Sequence, residues 1–278
     1  MLKRLIFPSI NTHGEPIVQL VALEGSLIKT ASGVLLPELR EKIKSIEKKA
    51  GRAYLLLNAL GASEFYGDNI NGDRFVEYLS DGSKSLLNDD PKTHGFKTFE
   101  KFAHVYKHHC NKDPGKSYGS IIHSAYNTGM HRVELLVDVD IEKTADILEK
   151  LSNGNSVDIS MGCKVPSDFC TYCGHESKTT TDYCEHLQHQ MGEVLSDGTK
   201  IAALNKYPKF FDISFVFIGA DPTAKVMAKI ASKDNPYGFP PELCLPSAVI
   251  SDILGEKDPE EKSATIVKEI PAAVTSIE

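Results

Sequence analysis

The sequence has no tryptophan, no long apolar run and no excess of basic residues. Its 278 residues carry 31 Lys and Arg against 38 Asp and Glu, which gives a formal net charge of -7. Binding along nucleic acid requires a basic face that neutralises several phosphates, so this charge argues against nucleic acid as the main partner. No apolar stretch approaches the ~20 residues that span a bilayer, and we therefore expect no membrane partner.

The first residues and the cysteines together indicate the compartment. The opening MLKRLIFPSI has the basic start of a signal peptide, but Pro8 interrupts its apolar stretch and no small-residue cleavage site follows. We therefore expect an unexported chain. Four of the six cysteines crowd into one short window, namely Cys163, Cys170, Cys173 and Cys184. In a reducing compartment this clustering favours a metal site over a disulfide framework.

Apolar and alternating runs predict the secondary structure. Helical spacing is expected in LLPELREKIKSIEKKAG, with Gly51 as its stop, in EKTADILEKL (142–151), and in DPTAKVMAKIAS, with Asp221 as the N-cap. Strands are expected at AYLLLNAL, SYGSII, RVELLVDV, VDISMGCKV and FFDISFVFI. Together they predict an α+β fold in which a mostly antiparallel β-barrel or closed sheet is flanked by helices.

Changes in composition divide the chain. Residues 1–50 form an N-terminal extension with a strand at 17–23 and an amphipathic helix, and residues 51–232 form the core. The core is interrupted at 163–200 by the cysteine-rich insertion. Residues 233–278 are rich in Pro, Glu, Lys and Ser, which is typical of a tail or linker.

The segment CTYCGHESKTTTDYCEHL has the spacing of a zinc knuckle. A Cys-x-x-Cys followed by Gly points two thiolates at one position, and a second short-spaced pair completes a tetrahedron. Four protein ligands leave no coordination position for water, so the expected Zn²⁺ is structural. The predicted ligands are Cys170, Cys173, Cys184 and His186. His189 and Cys163 are close enough in sequence to replace His186 as the fourth ligand.

Ser160 draws attention because it lies in an alternating strand just before the cysteines. A lone serine in such a strand is by default a small residue on the polar face. Nucleophilic catalysis by serine needs a base within hydrogen-bond reach and an acid that orients the base. Three segments that occur in order contain all three residue types: FEKFAHVYKHHCNKDPGKSYGSI (99–121), GNSVDISMGCKV (154–165) and FFDISFVFIGADPTAKV (210–226).

These segments resemble the tailed-phage prohead proteases, which mature capsids and share their fold with the herpesvirus assembly proteases. The resemblance covers roughly residues 53–230 through several short motifs and implies a herpesvirus protease-like barrel. Carried over residue by residue, it makes His109 the general base, Ser160 the nucleophile and Asp212 the orienting acid. His109 is preferred to His108 and His104 because the family places its histidine two residues before an Asn-like position, here Asn111.

Two features depart from the family pattern. The zinc-like insertion directly follows the strand of the nucleophile, where most members simply continue. Asp212 stands where members often have the longer Glu. Both departures are compatible with a large-phage branch of the family, or with a relative that has kept the fold and lost its activity.

The resemblance implies a serine endopeptidase that acts during phage head assembly. It would act inside the viral prohead in the host cell cytoplasm. The resemblance is also compatible with retention of the protein in the virion. Its expected substrates are scaffold and major capsid proteins, and further ones are portal-associated protein and the chain itself. The resemblance is also compatible with self-association of the chain. The alternatives are a catalytically inactive virion structural protein on the same fold and, from the knuckle spacing, a zinc-bearing nucleic-acid-binding module.

Overall fold

A closed barrel of seven strands forms the centre of the protein. The structure is a computed structural model that describes residues 19–23, 26–30, 36–47 and 49–232. The strands in chain order are β1 (Gln19–Leu23), β2 (Ser26–Thr30), β3 (Arg52–Gly61), β4 (Asp73–Arg74), β5 (His104–Lys107), β6 (Gly119–Asn127), β7 (Arg132–Asp140), β8 (Asp158–Lys164), β9 (Asp168–Cys170), β10 (Glu176–Ser177), β11 (Ala203–Asn205), β12 (Lys209–Val216) and β13 (Lys225–Ser232). The helices are α1 (Pro37–Lys44), α2 (Ser63–Tyr66), α3 (Thr98–Phe102), α4 (Ala145–Ser152) and α5 (Glu185–His189).

The barrel closes in the strand order β12-β5-β6-β7-β3-β13-β8. The β12–β5 pair is parallel, and the other neighbouring pairs of the barrel are antiparallel. Closure leaves the barrel without free edges, so each strand has hydrogen-bonding partners on both sides. The expectation of a mostly antiparallel closed sheet is confirmed, whereas the helices expected to flank it are few and short in the described residues.

Strand β3 shows how both faces of the barrel are covered. Every residue from Ala53 to Gly61 is buried. Leu55 and Leu57 belong to the main core, whereas Leu56 packs on the other face of the strand with Leu39 and Ile43 of α1. A strand buried on both faces reads as a continuous apolar run rather than an alternating one, which explains the sequence AYLLLNAL.

The helix predicted at 221–232 is wrong, because most of this segment is strand β13. The carboxylate of Asp221 accepts the N–H of Gly61 at 2.7 Å and the N–H of Thr223 at 2.7 Å, so it holds a turn instead of capping a helix. From Lys225 onward the backbone pairs with β3, beginning at Asn58. The barrel offers this segment a full set of strand partners, and that tertiary pairing overrides its helical spacing.

The other two predicted helices form, with shorter bounds. Helix α4 matches the helix expected at 142–151 and buries Ile147, Leu148 and Leu151. Helix α1 ends at Lys44 rather than at Gly51, which has φ of 71° and directly precedes β3. The strand expected at 17–23 is described from Gln19 as β1, which pairs with β2. The tail expected at 233–278 lies outside the described residues.

A second, four-stranded sheet carries the cysteine-rich segment in the order β10-β9-β11-β4. Its strand β4 precedes the insertion by some ninety residues and pairs in parallel with β11. Cys163 lies outside this sheet, on β8 of the barrel opposite Phe210. Within the described ranges, no helix has the length and apolar character required to cross a membrane.

Replacement of Gly119 tests how closely the barrel strands β6 and β7 pack. A Cβ atom at this position would lie 1.9 Å from the carbonyl oxygen of Asp138 on the neighbouring strand. We expect Gly119→Ala to lower the free energy of unfolding by about 1–3 kcal/mol, the usual cost of overpacking, as measured by denaturant titration. Gly129→Ala is the matched control, since a Cβ there would meet only Oδ1 of Asn127 at an ordinary 3.6 Å. Equal stability of the two variants would contradict this packing.

Candidate catalytic site and metal centre

Asp212 is the buried acid of the candidate site. It lies on β12 and its side chain has no exposed surface. Its Oδ2 accepts hydrogen bonds from Nδ1 of His109 at 2.6 Å and from Nδ2 of Asn111 at 2.7 Å. Its Oδ1 accepts from Oγ of Ser214 at 2.7 Å. Burial of a carboxylate is costly unless donors replace water, and these side chains supply the donors on both oxygens.

His109 lies in a strained turn that follows β5. His108 and His109 have φ of 48° and 55°, a left-handed conformation that residues with side chains rarely adopt. The turn is tied to β12, because the N–H of His108 donates to the carbonyl of Phe215 at 2.9 Å and the N–H of His109 donates to Oγ of Ser214 at 3.2 Å. Backbone strain of this kind persists only where neighbouring structure determines it, and it is frequent at functional sites.

The contact with Asp212 gives His109 its electrostatic character. The hydrogen bond to Asp212 raises the pKa of His109 above its ordinary value, burial opposes this shift, and the charge of Asp212 raises the pKa further. The side chain of His109 is 41% exposed, so solvent and ligands can reach the ring. Because Nδ1 is committed to Asp212, Nε2 is the nitrogen left to exchange a proton.

Ser160 lies on β8, which pairs antiparallel with β12. Ser160 is opposite Ser214, and Gly162 is opposite Asp212. Directly opposed residues share a face of the sheet, so Ser160, Ser214 and Asp212 all lie on one face. Their neighbours along the two strands, Ile159 and Ile213, point to the other face and belong to the main core. A Cβ at Gly162 would lie 3.3 Å from Oδ2 of Asp212, so a larger residue would crowd the acid.

A cavity of about 120 Å³ connects Ser160 with His109, and both residues line it. Its wall also includes Asn69, Asp73 and Asp221. Within the described part of the chain, Ser160 makes no hydrogen bond to His109. The structure thus brings His109 and Asp212 into direct contact and brings Ser160 to the same cavity.

Within the described residues, neither rival histidine is hydrogen-bonded to the acid, although His104 is the register partner of Asp212 in the β5–β12 pair. The ring of His108 stacks on Phe217, with centroids 4.3 Å apart. His104 is on β5, and its ring lies edge-on to Tyr106 at 6.3 Å. Cys110 is exposed, and its Sγ lies 3.9 Å from the carbonyl oxygen of His108. Of the three histidines in and directly after β5, His109 is the one whose ring is hydrogen-bonded to Asp212 in the described structure.

Sequence reasoning assigned no contact to Ser214 or to the side chain of Asn111. Ser214 is two residues from Asp212 on the same strand, and residues i and i+2 share a face, so the Asp-x-Ser spacing already placed the two side chains together. Asn111 served only as a marker for the family's histidine. Its bond to Asp212 depends on the turn after β5, and no local pattern in the sequence predicts that turn.

The four predicted metal ligands converge in the second sheet. The ligand atoms of Cys170, Cys173, Cys184 and His186 all lie within 4.8 Å of one another, so the cluster could hold a metal ion. Sγ of Cys173 and Sγ of Cys184 are 3.6 Å apart, and Sγ of Cys184 is 3.8 Å from Nδ1 of His186. Three thiols and one imidazole are a typical donor set for a closed tetrahedral site.

The alternative fourth ligands are elsewhere. His189 is exposed and its Nε2 lies 3.4 Å from a carboxylate oxygen of Glu185. Cys163 is on the barrel strand β8, where burial, together with the nearby charges of Asp73 and Asp168, raises its thiol pKa to about 12. His186 is therefore the residue that completes the cluster.

Two of the cluster's thiols differ in pKa: burial raises the pKa of Cys170, whereas the pKa of Cys184 is lowered. Burial raises this pKa, but hydrogen bonds from the backbone of Leu187 and from the side chains of His186, Cys173 and Cys170 lower it to about 6. A thiolate is the form of cysteine that binds metal. Beneath the cluster, a small apolar group packs the sheet: Cys170, Leu187, Ile201 and Ala203.

The four-stranded sheet that carries the Cys–His cluster is joined to the wall of the cavity. Ala203 pairs with Cys170 on one side of β11 and with Asp73 on the other. Nδ2 of Asn205 donates to Oδ1 of Asp73 at 3.0 Å, and the N–H of Ala203 donates to the carbonyl of Gly72 at 2.9 Å. Only one strand, β11, therefore separates the candidate metal ligand Cys170 from Asp73, which lines the cavity.

Comparison of the chain with protein-family models, with curated proteins and with solved structures yields no match. Its function is therefore inferred from its own residues. The features that bear on function are the buried acid with its histidine, the serine at the shared cavity, and the cluster of three cysteines and one histidine.

Replacement of Asp212 tests the electrostatics of the pair. Since Asp212 raises the pKa of His109, Asp212→Asn should lower that pKa toward the ordinary value of about 6.5, as followed by NMR titration of the imidazole. A raised folded-state pKa stabilises the fold at pH below the unfolded value, and this gain is lost as pH rises through the folded value. In Asp212→Asn, the fold should therefore lack the extra stability that the raised pKa of His109 provides at low pH.

The control for this titration is His189→Gln, which alters an exposed histidine outside the site. It should leave the titration of His109 unchanged. If the pKa of His109 stays at the wild-type value in Asp212→Asn, the carboxylate is not the cause of the shift.

Proposed function

We propose that the protein is a serine endopeptidase in which Ser160 is the nucleophile, His109 the general base and Asp212 the acid that orients His109. One observation carries the proposal. Nδ1 of His109 lies 2.6 Å from Oδ2 of Asp212 at a cavity that Ser160 also lines. A histidine that has one nitrogen on a buried carboxylate and the other free is arranged for proton transfer to and from a nearby hydroxyl.

The chemistry follows from these three positions. Nε2 of His109 takes the proton of Ser160 as Oγ attacks the scissile carbonyl, and the resulting imidazolium gives that proton to the leaving amine. The acyl group on Ser160 is then released by water, with His109 as the base. Asp212 stays ionised, holds the tautomer with the proton on Nδ1 and stabilises the imidazolium. In the absence of substrate such hydrogen bonds are often long, and they tighten in the substrate complex.

The biological role that fits this chemistry best is maturation of a viral capsid. Support comes from the sequence resemblance to tailed-phage prohead proteases, in which the histidine, serine and acid segments occur in the same order. The closed barrel is compatible with the fold that this resemblance implies. In this role the enzyme acts inside the prohead and cleaves scaffold and major capsid proteins.

A non-enzymatic structural protein of the virion is the second candidate. The observation that favours it is the lack, within the described residues, of a hydrogen bond between Ser160 and His109. On this alternative, the His109–Asp212 pair only holds the turn after β5 against β12.

The cysteine cluster is proposed to hold one structural Zn²⁺. Three thiolates and an imidazole match the ligands of structural zinc, and four protein ligands leave no coordination position for a reacting water. The ion would stabilise a small sheet that has only a minor apolar cluster of its own. It takes no part in the cleavage chemistry proposed for Ser160.

Ser160→Ala is the direct test of catalysis. We expect it to abolish cleavage of scaffold and capsid proteins in co-expressed proheads, because loss of a triad member typically costs several orders of magnitude in turnover. Folding should be unaffected, since removal of one hydroxyl leaves no large cavity. In the wild type, a serine-reactive phosphonate should label Ser160, as read by peptide mass spectrometry.

Two histidine variants provide the matched control. His109→Ala should abolish both labelling and cleavage, whereas His108→Ala, which removes only the stacking on Phe217, should have a much smaller effect. Normal maturation with Ser160→Ala, or no phosphonate adduct on the wild type, would refute the protease proposal in favour of the structural one.

Zinc content tests the metal proposal. Purified protein should contain about one zinc per chain by elemental analysis, as expected for one four-ligand site. Cys173→Ser should lose the metal and increase hydrogen exchange in residues 165–205 more than in the barrel, because metal binding contributes to folding of that sheet. Cys110→Ser, which alters an exposed cysteine outside the cluster, should keep the metal. Zinc content near zero, or a disulfide between Cys170 and Cys173, would contradict the proposal.

A further inference from the structure

Exposed apolar side chains are concentrated around the candidate catalytic cavity. Within the part of the chain that the structure describes, seven large hydrophobic residues are exposed; three of them lie one or two residues from residues that line this cavity, and a fourth, Phe217, stacks on His108 next to the lining residue His109. A cluster of exposed apolar residues indicates a binding surface, whereas single ones are ordinary. The four are Phe65 (48% exposed), Ile70 (67%), Phe217 (79%) and Ile218 (76%).

Phe217 and Ile218 begin the loop between β12 and β13, and this loop is held against β8 beside Ser160. A Cβ at Gly219 would lie 2.6 Å from the carbonyl oxygen of Ile159, so the glycine permits a close approach of the two backbones. The N–H of Gly219 also donates to Oδ2 of Asp158 at 3.3 Å. The loop thus presents its apolar residues from a fixed position next to the serine.

The stacking of Phe217 on His108 places this aromatic ring next to the turn that carries His109. Phe217 is nevertheless 79% exposed, with Nζ of Lys150 over its ring at 5.8 Å from the centroid. Exposed aromatic rings held in place by a neighbour bind apolar groups with little loss of conformational entropy. Phe65 is also stacked on a histidine, His131, with ring centroids 3.5 Å apart, and it is the least exposed of the four residues.

Ile70 is held at the cavity from the other side. It lies between Asn69 and Asn71, which both line the cavity, and its N–H donates to the carbonyl of Ala220 at 2.9 Å. Oδ1 of Asn69 accepts the N–H groups of Asn71 and Asp73 and closes the turn. Ile70 is exposed in spite of this well-bonded turn, and it lies next to the loop that carries Ile218.

We propose that Ile70, Phe217 and Ile218 form an apolar rim that binds bulky aliphatic or aromatic side chains of an extended polypeptide substrate near the bond cleaved at Ser160. This inference rests on the proposed peptidase function. Ile70 lies between two residues that line the cavity, and Phe217 stacks on the neighbour of His109, so on this proposal the chain that reaches Ser160 also passes the rim. Burial of apolar side chains there contributes affinity that the small polar cavity cannot provide.

The test uses the full-length Ser160→Ala protein and an array of short random-sequence peptides. Bound peptides should be enriched in Leu, Ile, Phe and Met, and the tightest binder is then measured by fluorescence anisotropy. Adding Phe217→Ser and Ile218→Ser together should weaken this binding by about tenfold or more. Adding Ile70→Ser alone should also weaken it, but by a smaller factor. Val194→Ser is the matched control, since Val194 is 66% exposed in the metal-bearing insertion and should leave binding unchanged.

Other outcomes overturn the proposal. These are the absence of any bound peptide, the absence of apolar enrichment, and wild-type affinity in the rim variants, whose fold is checked by circular dichroism. A dimer by light scattering that Phe217→Ser and Ile218→Ser dissociate would assign the rim to a second copy of the chain instead. Phosphonate labelling of Ser160 in the wild type distinguishes failure of the rim proposal from failure of the peptidase proposal. If Ser160 is labelled but bound peptides show no apolar preference, only the rim proposal is refuted. If Ser160 is not labelled, the peptidase proposal on which the rim depends is refuted.

Discussion

The buried carboxylate of Asp212 is the constraint on which the candidate site depends. A charge with no exposed surface requires hydrogen-bond donors in place of water, and the chain supplies them from His109, Asn111 and Ser214. Two of these donors lie in the turn after β5, so satisfying the acid also fixes that turn in its left-handed conformation. The strain at His108 and His109 is thus offset by the bonds that the turn makes to β12.

The barrel brings Ser160 to the same face of the sheet as Asp212, and to the cavity that His109 also lines. Antiparallel pairing of β8 with β12 places Ser160 opposite Ser214 and Gly162 opposite Asp212. A shift of one residue in this register would move Ser160 to the core face and expose Ile159. The apolar residues that hold the register in place, such as Ile159 and Ile213, therefore also determine that the serine faces the histidine's side of the sheet.

The sheet that carries the Cys–His cluster is connected to the same site. Its apolar cluster is small, so a metal ion held by the cysteines would supply order that burial alone does not. Through β11 and β4, this order extends to Asp73 in the cavity wall. The insertion that interrupts the chain after the strand of Ser160 is thereby part of the structure around the cavity rather than an independent appendage.

Local sequence patterns determined much of this protein. The continuous apolar run of β3, the alternation in β8 and β12, and the cysteine spacing each follow from short-range physics, because side-chain periodicity and ligand geometry act over a few residues. Only the tertiary structure decided that 225–232 is a strand, since its helical spacing yields to the partners that β3 offers. It also decided that His186 rather than Cys163 completes the cluster, and that His109 rather than His108 meets Asp212. Those choices depend on contacts between segments that are distant in the chain, such as Asn58 with Lys225 and His109 with Asp212, and the energy of such contacts is not encoded in any local pattern.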